Sequence, residues 1–96
     1  MPESTNFVSL EATVYGKVTG VIFRANTRAY ARRLCLTGWV RNKSDGTVHL
    51  VAQGPRTALE DLLDFLHVGL PPAMVTSVQV DWHQRINNFA DFKIHW

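Results

Sequence analysis

The segment FVSLEATVYGKVTGVIFR, residues 7–24, decides the fold because the spacing of its apolar residues changes partway along. In residues 7–15 apolar and polar side chains alternate, which predicts a half-buried strand with Val8, Leu10, Ala12 and Val14 on one face. From Ile22 onward the apolar residues follow a helical spacing, which predicts a helix ending near Cys35. Residues 16–21 join the two and contain two glycines. The chain therefore begins with a strand, a glycine-containing loop and a helix.

The middle of the chain predicts a hairpin followed by a second helix. Residues 38–53 alternate on both sides of Ser44-Asp45-Gly46, which is a turn signal. After Gly54-Pro55, leucines recur at the i, i+3, i+4 and i+7 positions of a helix that extends to about Val68. Those leucines are Leu59, Leu62, Leu63 and Leu66.

The last third of the chain predicts a fourth strand and a short terminal strand, separated by a polar loop, residues 84–88. Val78, Val80 and Trp82 alternate in the first of them, and Phe92, Ile94 and Trp96 in the second. The element order is thus β-α-β-β-α-β with one extra strand at the end. Two helices cannot cover both faces of so wide a sheet, so both should pack on one face. This order predicts an α+β, ferredoxin-like sandwich with a mixed, mainly antiparallel sheet.

Length and composition limit the class of protein. Ninety-six residues form one domain, for which we expect residues 7–96 to fold and residues 1–6 to be a flexible terminus. The single cysteine, Cys35, excludes an internal disulfide, and at a helix end we expect it to be a buried small hydrophobe. No apolar run approaches the ~18 residues of a membrane span, and the polar N-terminus is no signal peptide. We therefore expect a cytoplasmic protein that does not associate with membranes.

The charge is unevenly distributed along the chain. The formal net charge is only +2, yet no Asp or Glu occurs between Ala12 and Ser44, where seven of the ten Lys and Arg residues lie. These are Lys17, Arg24, Arg28, Arg32, Arg33, Arg41 and Lys43. A basic third of the chain favours an anionic ligand, and the residues outside the binding motif would be surface charge that steers it.

The loop at residues 16–21 is the first candidate site. A short loop that leads into a helix directs unpaired backbone N–H groups at one point, which suits an anion. Glycines let such a loop close, and the planar guanidinium of Arg24 on the first helical turn can hold two phosphate oxygens. The alternative is an ordinary turn with an exposed arginine. The loop is not a Walker A motif, because Gly-Lys-Ser/Thr is missing.

Asn42, at the end of the second predicted strand, is the second candidate. Its amide both donates and accepts hydrogen bonds, so it can orient a water molecule, although asparagine beside a turn commonly bonds its own backbone. The histidines at 49, 67, 83 and 95 have no metal-ligand spacing, and neither a serine nucleophile nor a metal site is supported.

Two segments together resemble the signatures of the acylphosphatase family. The first is GKVTGVIFR, residues 16–24, and the second is GWVRN, residues 38–42, followed by Gly46, Val48 and Gly54. The second segment fits the family pattern throughout. The first has Thr19 where the family usually has Gln, and the chain ends in His95-Trp96 where relatives often carry Arg-Tyr. The resemblance covers the chain from about Val8 to its end.

The resemblance implies a small free-standing enzyme that hydrolyses the carboxyl–phosphate bond of acyl phosphates. It implies that the loop Gly16, Lys17, Val18, Thr19, Gly20 and Val21 binds phosphate together with Arg24. It also implies that Asn42 orients the attacking water and that the reaction needs neither metal nor cofactor and forms no phosphoenzyme. Inorganic phosphate or sulfate would compete with the substrate, and we expect a monomer.

Three alternatives stay open from the sequence. The same domain resembles the N-terminal module of hydrogenase-maturation carbamoyltransferases, which handle carbamoyl phosphate. A non-catalytic relative is the second alternative. The third is an RNA-binding domain, since RNA-recognition modules share the topology, but residues 47–53 lack the aromatic side chains on which bases stack. We therefore expect no nucleic-acid partner.

Overall fold

The computed structural model describes residues 7–18, 21–68, 74–84 and 89–95. Its elements follow the predicted order: β1 (Phe7–Lys17), α1 (Val21–Arg33), β2 (Thr37–Asn42), β3 (Val48–Pro55), α2 (Arg56–Val68), β4 (Met74–His83) and β5 (Phe92–Ile94). The expected flexible terminus, residues 1–6, and most of the predicted polar loop lie outside the described residues, as does Trp96.

The five strands form one sheet in the order β4-β1-β3-β2-β5. All neighbours are antiparallel except β2 and β5, which are parallel, so the predicted mixed, mainly antiparallel sheet is confirmed. In β1 the alternation is as predicted, because Leu10, Ala12 and Val14 are buried while the residues between them face the other side.

Both helices pack on the same face of this sheet, hereafter the covered face. Buried residues of the helices share one core with the alternate residues of the strands. From the helices these include Phe23, Ala31, Leu59, Leu62 and Leu66. The two helices also meet each other, since the rings of Tyr30 and Phe65 stack with centroids 4.5 Å apart. The opposite face of the sheet, hereafter the open face, carries no helix among the described elements. The ferredoxin-like fold is thereby confirmed.

The end of α1 differs from the expectation for Cys35. Cys35 is exposed and has φ 60°, so it does not pack as a buried hydrophobe. The amide of Leu36 donates to the carbonyl of Ala31 and that of Cys35 to Arg32, which is the Schellman pattern of a helix end. This pattern requires a left-handed residue, and Cys35 holds the position. It is Leu36, 2% exposed, that enters the core there.

Two glycines, Gly38 and Gly54, have a positive φ that L side chains rarely adopt, and both lie close to neighbouring atoms. A Cβ on Gly38, whose φ is +140°, would lie 1.9 Å from the carbonyl oxygen of Val51 on the adjacent strand. A Cβ on Gly54, whose φ is +156°, would lie 2.5 Å from Cδ2 of Leu36. At Gly38 the neighbouring atom is backbone and cannot move aside, whereas at Gly54 it is the end of a side chain and the positive φ is the main obstacle. No helix of the described residues is long and apolar enough to cross a membrane.

Candidate active site

The carboxyl end of β1 leads almost directly into α1. The predicted loop began at Gly16, but Gly16 and Lys17 belong to β1 and pair with Val75 and Met74 of β4. They do so beyond a register shift after Tyr15, and Gly16 has φ 130°. Val18 is buried, Thr19 and Gly20 lie outside the described residues, and α1 begins at Val21. Only residues 18–20 therefore separate β1 from α1, so α1 must begin close to the edge of the sheet at which β1 ends.

Arg24 lies in the first turn of α1 and is 7% exposed. Arg24 is therefore not the exposed arginine that the alternative interpretation of the sequence, an ordinary turn, would predict. The first turn of α1 contains no acidic residue, so both the side chain and the positive end of the helix dipole favour an anion. A guanidinium stays charged when it is buried, so it needs hydrogen-bond acceptors there, and its planar set of donors suits the oxygens of an anion.

Asn42 is the last residue of β2 and lies near the same edge. It pairs with Val48 of β3, which in turn pairs with Val14 of β1. Since neighbouring strands lie about 4.8 Å apart, the row from Val14 to Asn42 spans about 10 Å. Val40, two residues earlier, is buried in the core, so Asn42 projects from the covered face.

The side-chain oxygen of Asn42 is buried and has no hydrogen-bond partner among the described residues. A buried carbonyl oxygen without a donor is costly, and such atoms in folded proteins commonly accept from a water molecule or a ligand. Asparagine beside a turn was also consistent with a bond to its own backbone. The structure shows no such bond for this oxygen. The fold thus brings Arg24, in the first turn of α1, and Asn42, at the end of β2, toward one edge of the sheet.

The turn that follows Asn42 is held by Asp45, which the sequence analysis treated only as part of a turn signal. One carboxylate oxygen, Oδ1, accepts from the backbone N–H of Thr47 at 3.0 Å and from its hydroxyl at 2.6 Å. These bonds lower the pKa of Asp45 below its ordinary value of 3.8, the hydroxyl bond contributing most. The signal for this arrangement is an Asp two residues before a Thr in a turn, because a side-chain oxygen can bond the backbone two residues on.

The strand β5 supports β2 from its other side. The amide of His95 donates to the carbonyl of Val40, and that of Gly38 donates to the carbonyl of Asp91. Arg32 of α1 pairs with Asp91 at 2.7 Å and also donates to the carbonyl of Phe92. The backbone N–H of Phe92, followed by Arg32, lowers the pKa of Asp91. Arg32, expected to be surface charge, is half-exposed and also links α1 to β5.

Three histidines that lie far apart in the sequence, His49, His83 and His95, are on the open face. Glu11 on β1 lies between two histidines, with its Oε2 2.9 Å from Nε2 of His49 and its Oε1 3.4 Å from Nε2 of His83. Trp39 stands edge-on to His49 and stacks on His95. Among the described residues no group of three His, Cys, Asp or Glu is disposed to hold a metal ion.

Comparison with known proteins identifies the family. The family model for acylphosphatase matches residues 10–94. An acylphosphatase of Salinibacter ruber is 48% identical over 85 residues, which cover 88% of this chain and 90% of the relative. Among solved structures, an acylphosphatase from Coxiella burnetii has a TM-score of 0.89 at 38% identity and covers 99% of this chain and 100% of its own.

A further structural likeness is one of fold alone. A full-length HypF in the phosphate- and nucleotide-bound form has a TM-score of 0.78, and the match covers 94% of this chain but 12% of HypF, at 21% identity. The relatives at higher identity, in contrast, match along almost their whole length. With Arg24 and Asn42 near one edge of the sheet and the family model matching residues 10–94, this chain belongs to the acylphosphatase family of hydrolases.

Proposed function

We propose that the enzyme hydrolyses acyl phosphates by in-line attack of a water on phosphorus, with Arg24 holding the phosphate and Asn42 orienting the water. The observation that carries this proposal is that two buried polar groups come from the two elements that meet near one edge of the sheet, the start of α1 and the end of β2. One is the guanidinium of Arg24, and the other is the side-chain oxygen of Asn42, which has no partner among the described residues.

Phosphate binding is assigned to Arg24 and the backbone of residues 16–21. The planar fork of an arginine can donate two parallel hydrogen bonds to phosphate oxygens, which fixes orientation as well as charge. The first backbone N–H groups of α1 have no partner within the helix, and Arg24 lies in that first turn. A backbone-based cradle is insensitive to side-chain identity, so Thr19 in place of glutamine is compatible with it.

Water orientation is assigned to Asn42. Its carbonyl oxygen accepts one hydrogen bond from the water, which leaves a lone pair of the water directed at phosphorus. The oxygen of the water forms a bond to phosphorus while the bond from phosphorus to the carboxyl oxygen breaks, and its electron pair leaves with the carboxylate. One proton of the water passes to a phosphate oxygen or to solvent.

This reaction asks little of acid or base groups. A carboxylate is a stable anion near neutral pH and leaves without being protonated. The transition state of phosphoryl transfer is loose, so catalysis depends mainly on position and on positive charge around the transferred group. Arg24 supplies charge and Asn42 supplies position. We therefore propose that the reaction requires no metal ion.

Hydrolysis of benzoyl phosphate tests the proposal. In the presence of a chelator we expect full activity, with competitive inhibition by inorganic phosphate or sulfate. In water labelled with oxygen-18, we expect the label in phosphate and none in benzoate, because attack occurs at phosphorus. Label in benzoate would show attack at carbon, and loss of activity with the chelator would show that a metal is needed.

We also propose that the enzyme works as a monomer in the cytoplasm. Arg24 and Asn42 come from one chain, so the proposed site needs no second copy. The single cysteine, Cys35, gives the fold no internal disulfide to gain from an oxidising compartment. Light scattering at micromolar concentration and fractionation of the source cells test the two statements. A stable dimer or recovery outside the cytoplasm would contradict them.

A further inference from the structure

The turn between β2 and β3, residues 43–47, is held by side-chain as well as backbone bonds. The amide of Lys43 donates to the carbonyl of Thr47 at 2.8 Å, and that of Gly46 donates to the carbonyl of Lys43 at 3.1 Å. Inside this ring Asp45 accepts both polar hydrogens of Thr47, as described above. Thr47 is 8% exposed, and its hydroxyl donates to the carboxylate of Asp45.

This turn adjoins Asn42 directly. Asn42 and Val48 form the last pair of the β2–β3 ladder, and the bond from Lys43 to Thr47 is the next link outward. Asp45 thus acts on both chain segments that flank the Asn42–Val48 pair: on Thr47 through its carboxylate and on Lys43 through the turn that it closes. Loss of the carboxylate would leave Thr47 without its side-chain partner and loosen that outer link.

Asn42 needs such support because its side-chain oxygen is not held by another group. That oxygen has no hydrogen-bond partner among the described residues, so the direction of the amide depends on the backbone from which it projects. An error of about 1 Å in the position of a reacting group can cost about a hundredfold in rate. Small displacements of the end of β2 would therefore also misplace the attacking water that Asn42 orients.

We propose that Asp45 is a positioning residue for the hydrolysis, which acts through the backbone of Asn42 and does not touch the substrate. The inference rests on the proposed role of Asn42. The acceptor geometry of Asp45, rather than its charge, does the positioning, because both of its bonds to Thr47 go to a single oxygen that an asparagine also possesses.

The test compares three variants of the turn. Asp45→Ala removes the acceptor, Asp45→Asn keeps it without the charge, and Ser44→Ala is a matched control at an exposed neighbour. For Asp45→Ala we expect kcat for benzoyl phosphate to fall about 10- to 100-fold while the inhibition constant of inorganic phosphate changes less than about twofold. Asp45→Asn should retain kcat within about threefold, and Ser44→Ala should match the parent.

A second measurement reports on Asn42 itself. The side-chain NH2 resonances of Asn42 can be assigned by their loss in Asn42→Ala, and we expect Asp45→Ala to shift or broaden them while Ser44→Ala does not. Unchanged kcat in Asp45→Ala would overturn the inference, and so would reduced kcat with unchanged Asn42 resonances. If Asn42→Ala itself keeps its turnover, the proposed role of Asn42 fails. If Asn42→Ala loses turnover and Asp45→Ala does not, only the inference about Asp45 fails.

Discussion

The covered and open faces of the sheet differ in the polar groups they hold. On the open face Glu11 lies between two histidines, with His95 nearby against Trp39. On the covered face the buried strand residues are apolar, and the candidate site at its edge offers a guanidinium and an amide. The face richer in titratable groups is thus not the face from which Asn42 projects. A cluster of acidic and basic side chains does not mark the site of a reaction that depends on positive charge and positioning rather than on proton transfer.

Substitution of Arg24 should cause the largest loss of activity, far larger than any substitution on the open face. Replacement by alanine removes the phosphate clamp, and we expect kcat/KM for benzoyl phosphate to fall about 10³- to 10⁵-fold. Arg24→Lys should also lose most activity, because an ammonium lacks the planar fork. Steady-state kinetics on protein whose near-ultraviolet circular dichroism matches the parent provides the check. Activity of the lysine variant close to the parent would show that charge alone is enough.

Two neighbours on β3 compare the faces in terms of stability. Leu50 is fully buried on the covered face, whereas Val51 is half-buried on the open face. We expect Leu50→Ala to lower the free energy of unfolding by about 2–5 kcal/mol and Val51→Ala by about 1 kcal/mol. Urea unfolding followed by tryptophan fluorescence measures both values. Equal losses would mean that the open face is packed as tightly as the covered one.

Asp91, which fastens β5 to α1, should make a smaller and pH-dependent contribution. Bonds from the Phe92 amide and from Arg32 lower its pKa below 3.8 in the folded protein. The carboxylate therefore stabilises the fold above its unfolded pKa, and this contribution is lost as the pH falls through the folded value. We expect Asp91→Asn to lower the Tm near neutral pH and to approach the parent as the pH falls below about 4. A constant difference in Tm down to low pH would contradict the assignment.

The smallest effect is expected from the open face. Glu11→Gln removes the charge between His49 and His83 on the open face, whereas Asn42 projects from the covered face. We expect kcat and KM to stay within about twofold of the parent, because loose phosphoryl transfer needs no base from this cluster. A large fall in kcat, with folding intact, would move part of the chemistry to the open face.

The sequence allowed the order of elements to be predicted because apolar spacing reports directly which face of a strand or helix is buried. It also allowed Arg24 and Asn42 to be predicted as site residues, since Arg24 follows a loop that leads into a helix and Asn42 ends a strand before a turn. It did not predict that β1 continues through Gly16 and Lys17, because this depends on pairing with Val75 and Met74, far along the chain.

Other features needed the register or the local geometry. Glu11, His49 and His83 lie on three different strands, so only the strand order shows that they meet. Cys35 was expected to be buried, yet the Schellman end of α1 turns it outward and buries Leu36 instead. Asp45 was visible as a turn residue, but its bonds to Thr47 became evident only with side-chain positions.

The central claim is the division of work between phosphate binding by Arg24 and water orientation by Asn42. Its most direct test is the variant Asn42→Ala, measured for turnover of benzoyl phosphate and for affinity toward inorganic phosphate in the same preparation. We predict that turnover is abolished while phosphate binding remains close to that of the parent. Turnover close to that of the parent, or a parallel loss of turnover and phosphate binding, would contradict the claim.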